Sequence, residues 1–400
     1  MKLRAKNLRV ITMSVVFAGL FVATEQMDGV GFMLPNQDPE AIGRGDAFTA
    51  TADDPAALYY NPAGITQLPG TQASIGIYAI SPSTKYESPT GQTASTDSRF
   101  QEVPQIYATT SLTNIPISLG LGVYVPYGLS LDWGVHAPFA AVAQSGSLLY
   151  ACVNPVIAWK VCPTLSIAAG ATINYSDAEF DRALTVFPTL FKFTGNGWGY
   201  GYNAGILWQP LDQWSFGVNY RSSTRIMYDG NILAYPVLPE TSASTEIKFP
   251  QYVTVGASYR PTTNWNFEVD VNWADWDVVN TLTFHDVYVG NPSLPLHMRS
   301  SFIYQVGGTR QLGNGYYVSL GYMYSEKSNP DTYFTPLIPD ANLHLGNIGF
   351  GHKGKRWDWA VAYQFAYNGG RTVENNAFVL PNGEYKTFNN AFNVSTTFKF

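Results

Sequence analysis

The sequence predicts an all-β protein: a 14-stranded antiparallel transmembrane β-barrel with an N-terminal hatch inside its lumen. Three observations support this prediction: an alternating C-terminal segment, a composition suited to strands that face lipid, and connections that alternate in length. In the last segment Phe392, Val394, Phe398 and Phe400 fall on one strand face, and polar residues fall on the other. This pattern is typical of outer-membrane barrels, and we expect the strand ending at Phe400 to engage the barrel-assembly machinery.

The composition favours a barrel over membrane-spanning helices. The chain is 46% hydrophobic and 15% aromatic, with 36 glycines and a mean hydropathy of -0.07. Its longest apolar stretch, residues 10–23, is shorter than the roughly 18 apolar residues that a spanning helix needs. A soluble sandwich protein could share some of these values. A sandwich of 400 residues would be expected to divide into two or more domains, however, and no linker-like change of composition occurs.

Residues 1–30 have the order of a secretory signal peptide. Four basic residues precede the apolar stretch, and we place the cleavage site within about residues 23–30. Export of a barrel predicts a location in the outer membrane of a Gram-negative-type envelope, in contact with outer-membrane lipid and lipopolysaccharide. The net charge of -6 makes nucleic acid an unexpected partner.

Residues 69–400 divide into fourteen alternating segments whose connections alternate between short and long. The short connections are at 114–116, 160–163, 210–213, 261–263, 313–315 and 354–355. The long ones are near 85–98, 132–146, 181–196, 229–244, 277–296, 326–342 and 368–386. Short periplasmic turns and long external loops are typical of such barrels, so we expect both termini in the periplasm.

Residues 31–68 show no sustained alternation and are rich in glycine and proline. Because a barrel of fourteen strands has an open lumen, this segment can be accommodated inside it as a hatch.

The same segment resembles the N-terminal hatch of the FadL-type outer-membrane transporters of long-chain fatty acids and hydrocarbons. The resemblance rests on Gly31-Phe32, Gly43-Arg44-Gly45-Asp46-Ala47, Ala52-Asp53-Asp54-Pro55 and Tyr60-Asn61-Pro62-Ala63-Gly64-Ile65. Residues 197–207 and Tyr220-Arg221-Ser222 are similar to strands six and seven of that family. The hatch residues that the resemblance singles out are Gly31, Phe32, Asn61, Pro62 and Ala63.

Pro126 interrupts the alternating third strand. Proline cannot donate to a hydrogen-bond ladder within a sheet, so a gap or bulge is expected there. In the family that the chain resembles, a kink in the third strand opens the wall, and an apolar ligand leaves sideways. The resemblance thus implies a lateral gate at Pro126, Tyr127 and Gly128. The alternative is a proline tolerated at a bulge without any passage.

Strand parity places Arg221, Arg225 and Lys248 in the lumen, where they are candidates for binding a ligand head group. A fatty acid carboxylate would accept charge-assisted hydrogen bonds from them, whereas a neutral hydrocarbon would not. The alternative is structural. By the same parity Glu268 and Asp270 also point inward, and the hatch supplies Asp53 and Asp54, so the cations could neutralise buried acids.

The remaining chemistry argues against an enzyme. The five histidines are scattered without ligand-like spacing, so we expect no metal site, no cofactor and no catalytic residue. Cys152 and Cys162 are expected to be roughly 25 Å apart along a strand and therefore unpaired.

The function that the sequence favours is passive outer-membrane transport of long-chain fatty acids or similar hydrophobic small molecules. They would be captured outside and released laterally through a break in strand 3. The alternatives are a channel for neutral aromatic or aliphatic hydrocarbons and a structural or adhesive outer-membrane barrel. The expected oligomeric state is a monomer.

Overall fold

The computed structural model describes residues 31–97, 100–183, 190–236, 238–286 and 291–400. The predicted signal segment lies outside the described residues.

Within these ranges the strands form a closed antiparallel barrel of fourteen strands. Twelve barrel strands are single elements: β1 (Thr71–Glu87), β3 (Gln101–Ser111), β4 (Ile117–Asp132), β5 (Ser145–Cys162), β6 (Leu165–Arg182), β7 (Leu190–Leu211), β12 (Trp265–Ala274), β16 (Ser301–Gly313), β17 (Tyr316–Ser325), β18 (Leu343–Lys353), β19 (Trp357–Tyr367) and β21 (Gly383–Lys399). The other two are each made of two segments: β8 (Trp214–Arg221) with β9 (Thr224–Tyr235), and β10 (Leu238–Phe249) with β11 (Tyr252–Thr262).

Shorter elements lie in the loops and the hatch. The loop strands are β2 (Thr93–Ser95), β13 (Thr281–Thr283), β14 (His285–Asp286), β15 (Ser293–Pro295) and β20 (Arg371–Val373). Two 3-10 helices, Trp276–Val278 and Asp331–Tyr333, lie beside them. In the described part of the chain, no helix has the length and apolar character needed to cross a membrane.

The barrel closes between its first and last strands. β1 pairs with β21 from Gln72↔Lys399 to Glu87↔Glu384, so the wall has no free edge there. This closure confirms the predicted fold, and the short connections all lie at the end where Thr71 and Phe400 meet. On β12 the outward residues Phe267, Val269 and Val271 are exposed, as expected for a face toward lipid.

The N-terminal segment, residues 31–68, lies inside the barrel, and we call it the hatch. It contains helix α1 (Pro39–Gly43), helix α2 (Ala57–Tyr60) and a 3-10 helix over Pro62–Gln67. Asp38 caps α1, its carboxylate accepting from the Glu40 amide at 2.7 Å, and Pro39 occupies the first helical turn where no amide is required.

The external loops pack against one another above the barrel. Trp133 donates to the Pro336 carbonyl at 2.9 Å, and Arg371 donates to Asp331 at 2.6 Å. Partial burial raises the pKa of Asp331, but the hydrogen bonds from Arg371 and Lys327 outweigh it and hold the pKa below its ordinary value.

Two of the predicted long loops are largely strands. Residues 190–196 pair with residues 229–235, and residues 241–249 pair with 224–232, so the wall extends above the membrane where loops were predicted at 181–196 and 229–244. The alternation is reversed in this extension, where apolar residues such as Phe193 and Ile247 face inward and polar residues such as Lys192 and Lys248 face outward, so it did not match the pattern of a strand that faces lipid. The prediction of unpaired cysteines is confirmed: Cys152 is buried and free, and Cys162 is exposed and free.

Candidate functional site

The third barrel strand, β4, loses one neighbour at mid-height. Its pairing with β3 runs from Ser111↔Ser118 to Ile106↔Val123 and then stops. On its other side, the register with β5 shifts between Tyr124 and Tyr127, on either side of Pro126. The predicted interruption is therefore present at Pro126, a residue that has no amide hydrogen to donate to a ladder.

The hatch takes the place of the missing neighbour. Met33 forms an antiparallel bridge with Tyr127, so hatch residues 32–34 run beside strand residues 126–128. The backbone contacts are Leu34 N to Pro126 O at 2.8 Å and Gly128 N to Phe32 O at 3.0 Å. Residues 124–131 of β4 are buried on both strand faces, which means that this part of the strand bends away from lipid toward the interior.

An aromatic cluster lies beside this break. Phe32 of the hatch packs against Trp276 at 4.8 Å, Phe249 at 5.8 Å and Tyr127 at 6.1 Å between ring centroids. Tyr150 continues the cluster, 4.5 Å from Phe249. These edge-to-face and tilted contacts form an apolar interior surface next to the interrupted ladder.

Arg221 is the one head-group candidate that the structure places inside. Its side chain is buried and donates from Nε to the Tyr252 hydroxyl at 3.0 Å and from Nη2 to the Tyr124 hydroxyl at 2.6 Å. A weaker contact joins Nη1 to Cys152 Sγ at 3.8 Å. Its guanidinium also lies 5.5 Å from the centre of the Tyr59 ring of the hatch. Among the described residues, no carboxylate forms an ion pair with Arg221.

The inward placement of Arg225 and Lys248 was wrong. Both lie on the outer face of the barrel with side chains 64% and 44% exposed, and both are ion-paired with Glu246. Residues 222–223 interrupt the seventh barrel strand, and residues 250–251 interrupt the eighth. Each interruption reverses whether odd-numbered or even-numbered residues face inward. An assignment counted from Trp214 is therefore wrong above residues 222–223.

The lower part of the hatch is held by two inward acids of β12. Glu268 Oε1 accepts from the amides of Ala50 at 2.6 Å and Thr51 at 3.3 Å, and Asp270 accepts from the Phe48 amide at 3.0 Å and the Thr49 amide at 2.8 Å. Arg44 Nη2 lies 3.2 Å from Glu268 Oε2, and both side chains are buried.

These contacts contradict the alternative in which Arg221 neutralises a buried acid. Glu268 is paired with Arg44, and Asp53 lies 3.4 Å from Lys353 and 3.9 Å from Arg260. None of the described acids is neutralised by Arg221.

Asn61 joins the hatch to the wall. Its amide donates to the Thr49 carbonyl at 2.8 Å and to the Ile206 carbonyl of β7 at 3.0 Å, and its oxygen caps the 3-10 helix by accepting from the Ala63 amide at 3.2 Å. Gly205 makes the approach possible, since a Cβ there would lie 2.3 Å from the Asn61 oxygen. Pro62 begins the 3-10 helix, as its fixed φ favours.

A shallow groove lies among the external loops. Its lining is mainly apolar and includes Phe180, Phe191, Phe284, Leu294, Leu337 and Phe378. No sequence pattern marked this groove, because its residues come from five separate connections. The tyrosines around Arg221 were missed for the same reason: no local motif links Tyr59, Tyr124 and Tyr252.

Comparisons with known proteins agree with this architecture. A family model described as "Outer membrane protein transport protein (OMPP1/FadL/TodX)" matches residues 20–399. A long-chain fatty acid transport protein of Salmonella typhi is 21% identical over 306 residues, which cover 66% of this chain and 70% of that protein.

Two solved structures share the fold. A Pseudomonas aeruginosa FadL homologue has a TM-score of 0.81 and 18% identity, over 93% of this chain and 100% of that chain. The toluene transporter TodX of Pseudomonas putida has a TM-score of 0.73 and 15% identity, over 95% of this chain and 100% of that chain. At these identities the likeness concerns the fold alone.

Proposed function

Because the chain belongs to the outer membrane protein transport family (OMPP1/FadL/TodX), we propose that it carries long-chain fatty acids or similar hydrophobic molecules passively across the outer membrane. The ligand is captured in the external apolar groove, passes the aromatic cluster around Phe32, and leaves sideways through the break in β4. The observation that carries this proposal is the loss of the β3–β4 ladder above Val123, beside an apolar interior.

The alternative exit, downward through the lumen, is opposed by the hatch. Its lower part is fixed by the Arg44–Glu268 ion pair and by four amide hydrogen bonds to Glu268 and Asp270. An alkyl chain released into water would lose roughly 0.8 kcal/mol for each methylene that leaves an apolar environment. A sideways exit into lipid leaves the fixed part of the hatch in place and keeps the alkyl chain in an apolar environment.

The sideways exit requires a smaller rearrangement. At the break, the β4 backbone is covered by residues 32–34, which hold it through two backbone hydrogen bonds and the packing of Phe32. Displacing these residues would expose the unpaired edge without disturbing the anchored part of the hatch. Pro126, Tyr127 and Gly128 therefore form the gate in this proposal, and Gly31 and Phe32 form its moving cover.

The test is a reversible tether. Met33→Cys with Tyr127→Cys, in a Cys162→Ser background, places a disulfide at residues that already form a bridge. We expect oxidation to abolish uptake of radiolabelled palmitate into whole cells, and dithiothreitol to restore it. The matched control is Ile106→Cys with Val123→Cys, a pair within the intact β3–β4 ladder. This control should transport equally well in both redox states.

If the oxidised Met33–Tyr127 tether transports at the control rate, the gate is elsewhere and Pro126 marks only a bulge. If both tethered proteins stop transporting, lateral strain in the wall explains the loss and the specific gate is rejected.

A neutral hydrocarbon is the second candidate ligand. The aromatic cluster favours it, since Phe32, Phe249 and Trp276 offer apolar contact without a charge. An adhesive barrel is less favoured, because adhesion needs neither a hatch nor an interrupted strand.

A further inference from the structure

Arg225 and Lys248 form an unusual pair on the outer face of the barrel. They are direct cross-strand partners in β9 and β10, and both side chains are exposed. Like charges directly opposite each other destabilise a sheet, so an anion beside the two cations would stabilise this pair.

Among the described residues, one carboxylate is ion-paired with these two cations. Glu246 Oε1 lies 3.5 Å from Arg225 Nε and 3.7 Å from Lys248 Nζ. The cross-strand partner of Glu246 is Met227, which carries no charge. The three side chains therefore leave one positive charge on the outer surface.

A second cation pair on the barrel shows the balanced arrangement. Lys85 and Lys386 are cross-strand partners in β1 and β21, and the neighbouring pair is Glu87 and Glu384. Each lysine thus has an acid available, and Lys386 lies 2.8 Å from Glu384. The excess charge is a property of the Arg225 pair and not of outward cations in general.

The height of the pair on the wall matches the lipid head groups. Below it, the outward residues of β8 are Trp214, Phe216, Val218 and Tyr220, and Arg225 is the first outward charge above them. The distance along the strand from Trp214 corresponds to a rise of roughly 25–30 Å, at ~3.3 Å per residue and a tilt of about 40°. The apolar band of such barrels is about 25 Å tall, so Arg225 and Lys248 lie at its outer edge.

The surface beside the pair is concave. A groove runs between β10 and the loop after β12, lined in part by Met227, Glu246, Lys248, Leu282 and His285. Met227 is 48% exposed and offers an apolar contact next to the charges. A charged head with an attached acyl chain fits this combination better than a free ion does.

We propose that Arg225 and Lys248 bind the phosphate of a phosphorylated lipid of the outer leaflet, the lipid A part of lipopolysaccharide. Two adjacent cations provide charge-assisted hydrogen bonds to one phosphate, and the acyl chains lie against Met227 and the apolar wall below. The inference is independent of the transport route, because both cations lie outside the barrel.

The test compares two double variants in detergent-solubilised full-length protein. Binding of bisphosphorylated lipid A is titrated, with its dephosphorylated form as the second probe. We expect Arg225→Gln with Lys248→Gln to weaken binding of the bisphosphorylated form at least tenfold, since charged hydrogen bonds contribute about 1.5–3 kcal/mol. Lys85→Gln with Lys386→Gln should change it less than about twofold. Glu246→Gln should tighten it, because the competing carboxylate is removed.

Three results would overturn the proposal: equal losses in both double variants, equal binding of the dephosphorylated lipid, or weaker binding in Glu246→Gln. Displacement of the lipid by millimolar inorganic phosphate would assign the site to a free anion and not to a lipid. Heat-modifiable mobility on gels checks that every variant is folded, and the exposure of these side chains makes misfolding unexpected.

Discussion

Two parts of the hatch are held to the barrel by different chemistry. The part around residues 44–51 is fixed by a buried ion pair and by amide hydrogen bonds to the two carboxylates of β12. The part at residues 32–34 is held by two backbone hydrogen bonds and by aromatic packing. Hydrogen bonds to buried charges are the stronger class, so the hatch combines a fixed anchor with a more easily displaced end.

Two buried arginines, Arg44 of the hatch and Arg221 of the wall, show the same contrast. Arg44 is paired with Glu268, whereas Arg221 has phenol hydroxyls and a thiol as its partners. A buried charge is costly unless it is compensated. Arg44 thus has a carboxylate as its counter-charge, although its Nε has no hydrogen-bond partner, whereas Arg221 has no counter-charge among the described residues.

The largest effect is expected when the carboxylate that anchors residues 44–51 of the hatch is removed. Glu268→Gln leaves Arg44 buried without a counter-charge and weakens the bonds to Ala50 and Thr51. We expect the free energy of unfolding to fall by about 3–5 kcal/mol, as for other broken buried pairs. A Thr49→Cys reporter should then react with an impermeant maleimide many times faster than in the parent protein.

The control for this change is Glu246→Gln, which removes a carboxylate from the outer face of the wall and should leave hatch labelling unchanged. Slow labelling in the Glu268→Gln protein would mean that backbone packing alone fixes the hatch, and the contrast between residues 44–51 and residues 32–34 would be lost.

An intermediate effect is expected at Arg221. Arg221→Gln removes the uncompensated charge beside the displaceable end, and binding of palmitate should weaken at least tenfold, for an anchor of roughly 1.5–3 kcal/mol. Binding of hexadecane, titrated in parallel, should be unchanged. Arg221→Lys should restore part of the palmitate affinity. Equal losses for both ligands would make Arg221 a structural residue and favour a neutral substrate.

The smallest effect is expected at Asn61, and it tests whether Asn61 belongs to the anchored part or the moving part of the hatch. Asn61→Ala removes a helix cap and two hydrogen bonds, and we expect a loss of stability of about 1 kcal/mol, measured by thermal unfolding. Because Glu268 and Asp270 still hold the hatch, palmitate uptake should be retained. Loss of uptake would place Asn61 in the moving part of the hatch.

The strand count and the break could be predicted from sequence because both depend on local rules. The short connections mark where the chain turns, and Pro126 has no amide hydrogen to donate to a neighbouring strand. The facing of Arg225 and Lys248 could not be predicted in this way. Parity is informative only along an unbroken strand, and residues 222–223 and 250–251 break two strands that otherwise look continuous in sequence.

The site around Arg221 could be predicted from the sequence only in part. Its own inward facing follows from the unbroken alternation of β8, but its partners come from the hatch, β4 and β11. Contacts between residues about 30 to 160 positions apart leave no trace in periodicity, so the absence of a counter-ion for Arg221 could be seen only in the folded protein.

The hatch also has an electrical consequence. A fourteen-stranded wall enclosing only water would be a conductor, and salt and protons would flow along its polar lining. Here Arg44, Phe48 and Ala50 of the hatch lie inside the barrel, and every one of them is buried. We therefore expect the hatch to oppose a flow of ions through the barrel, which a transport route that leaves sideways through the wall does not require.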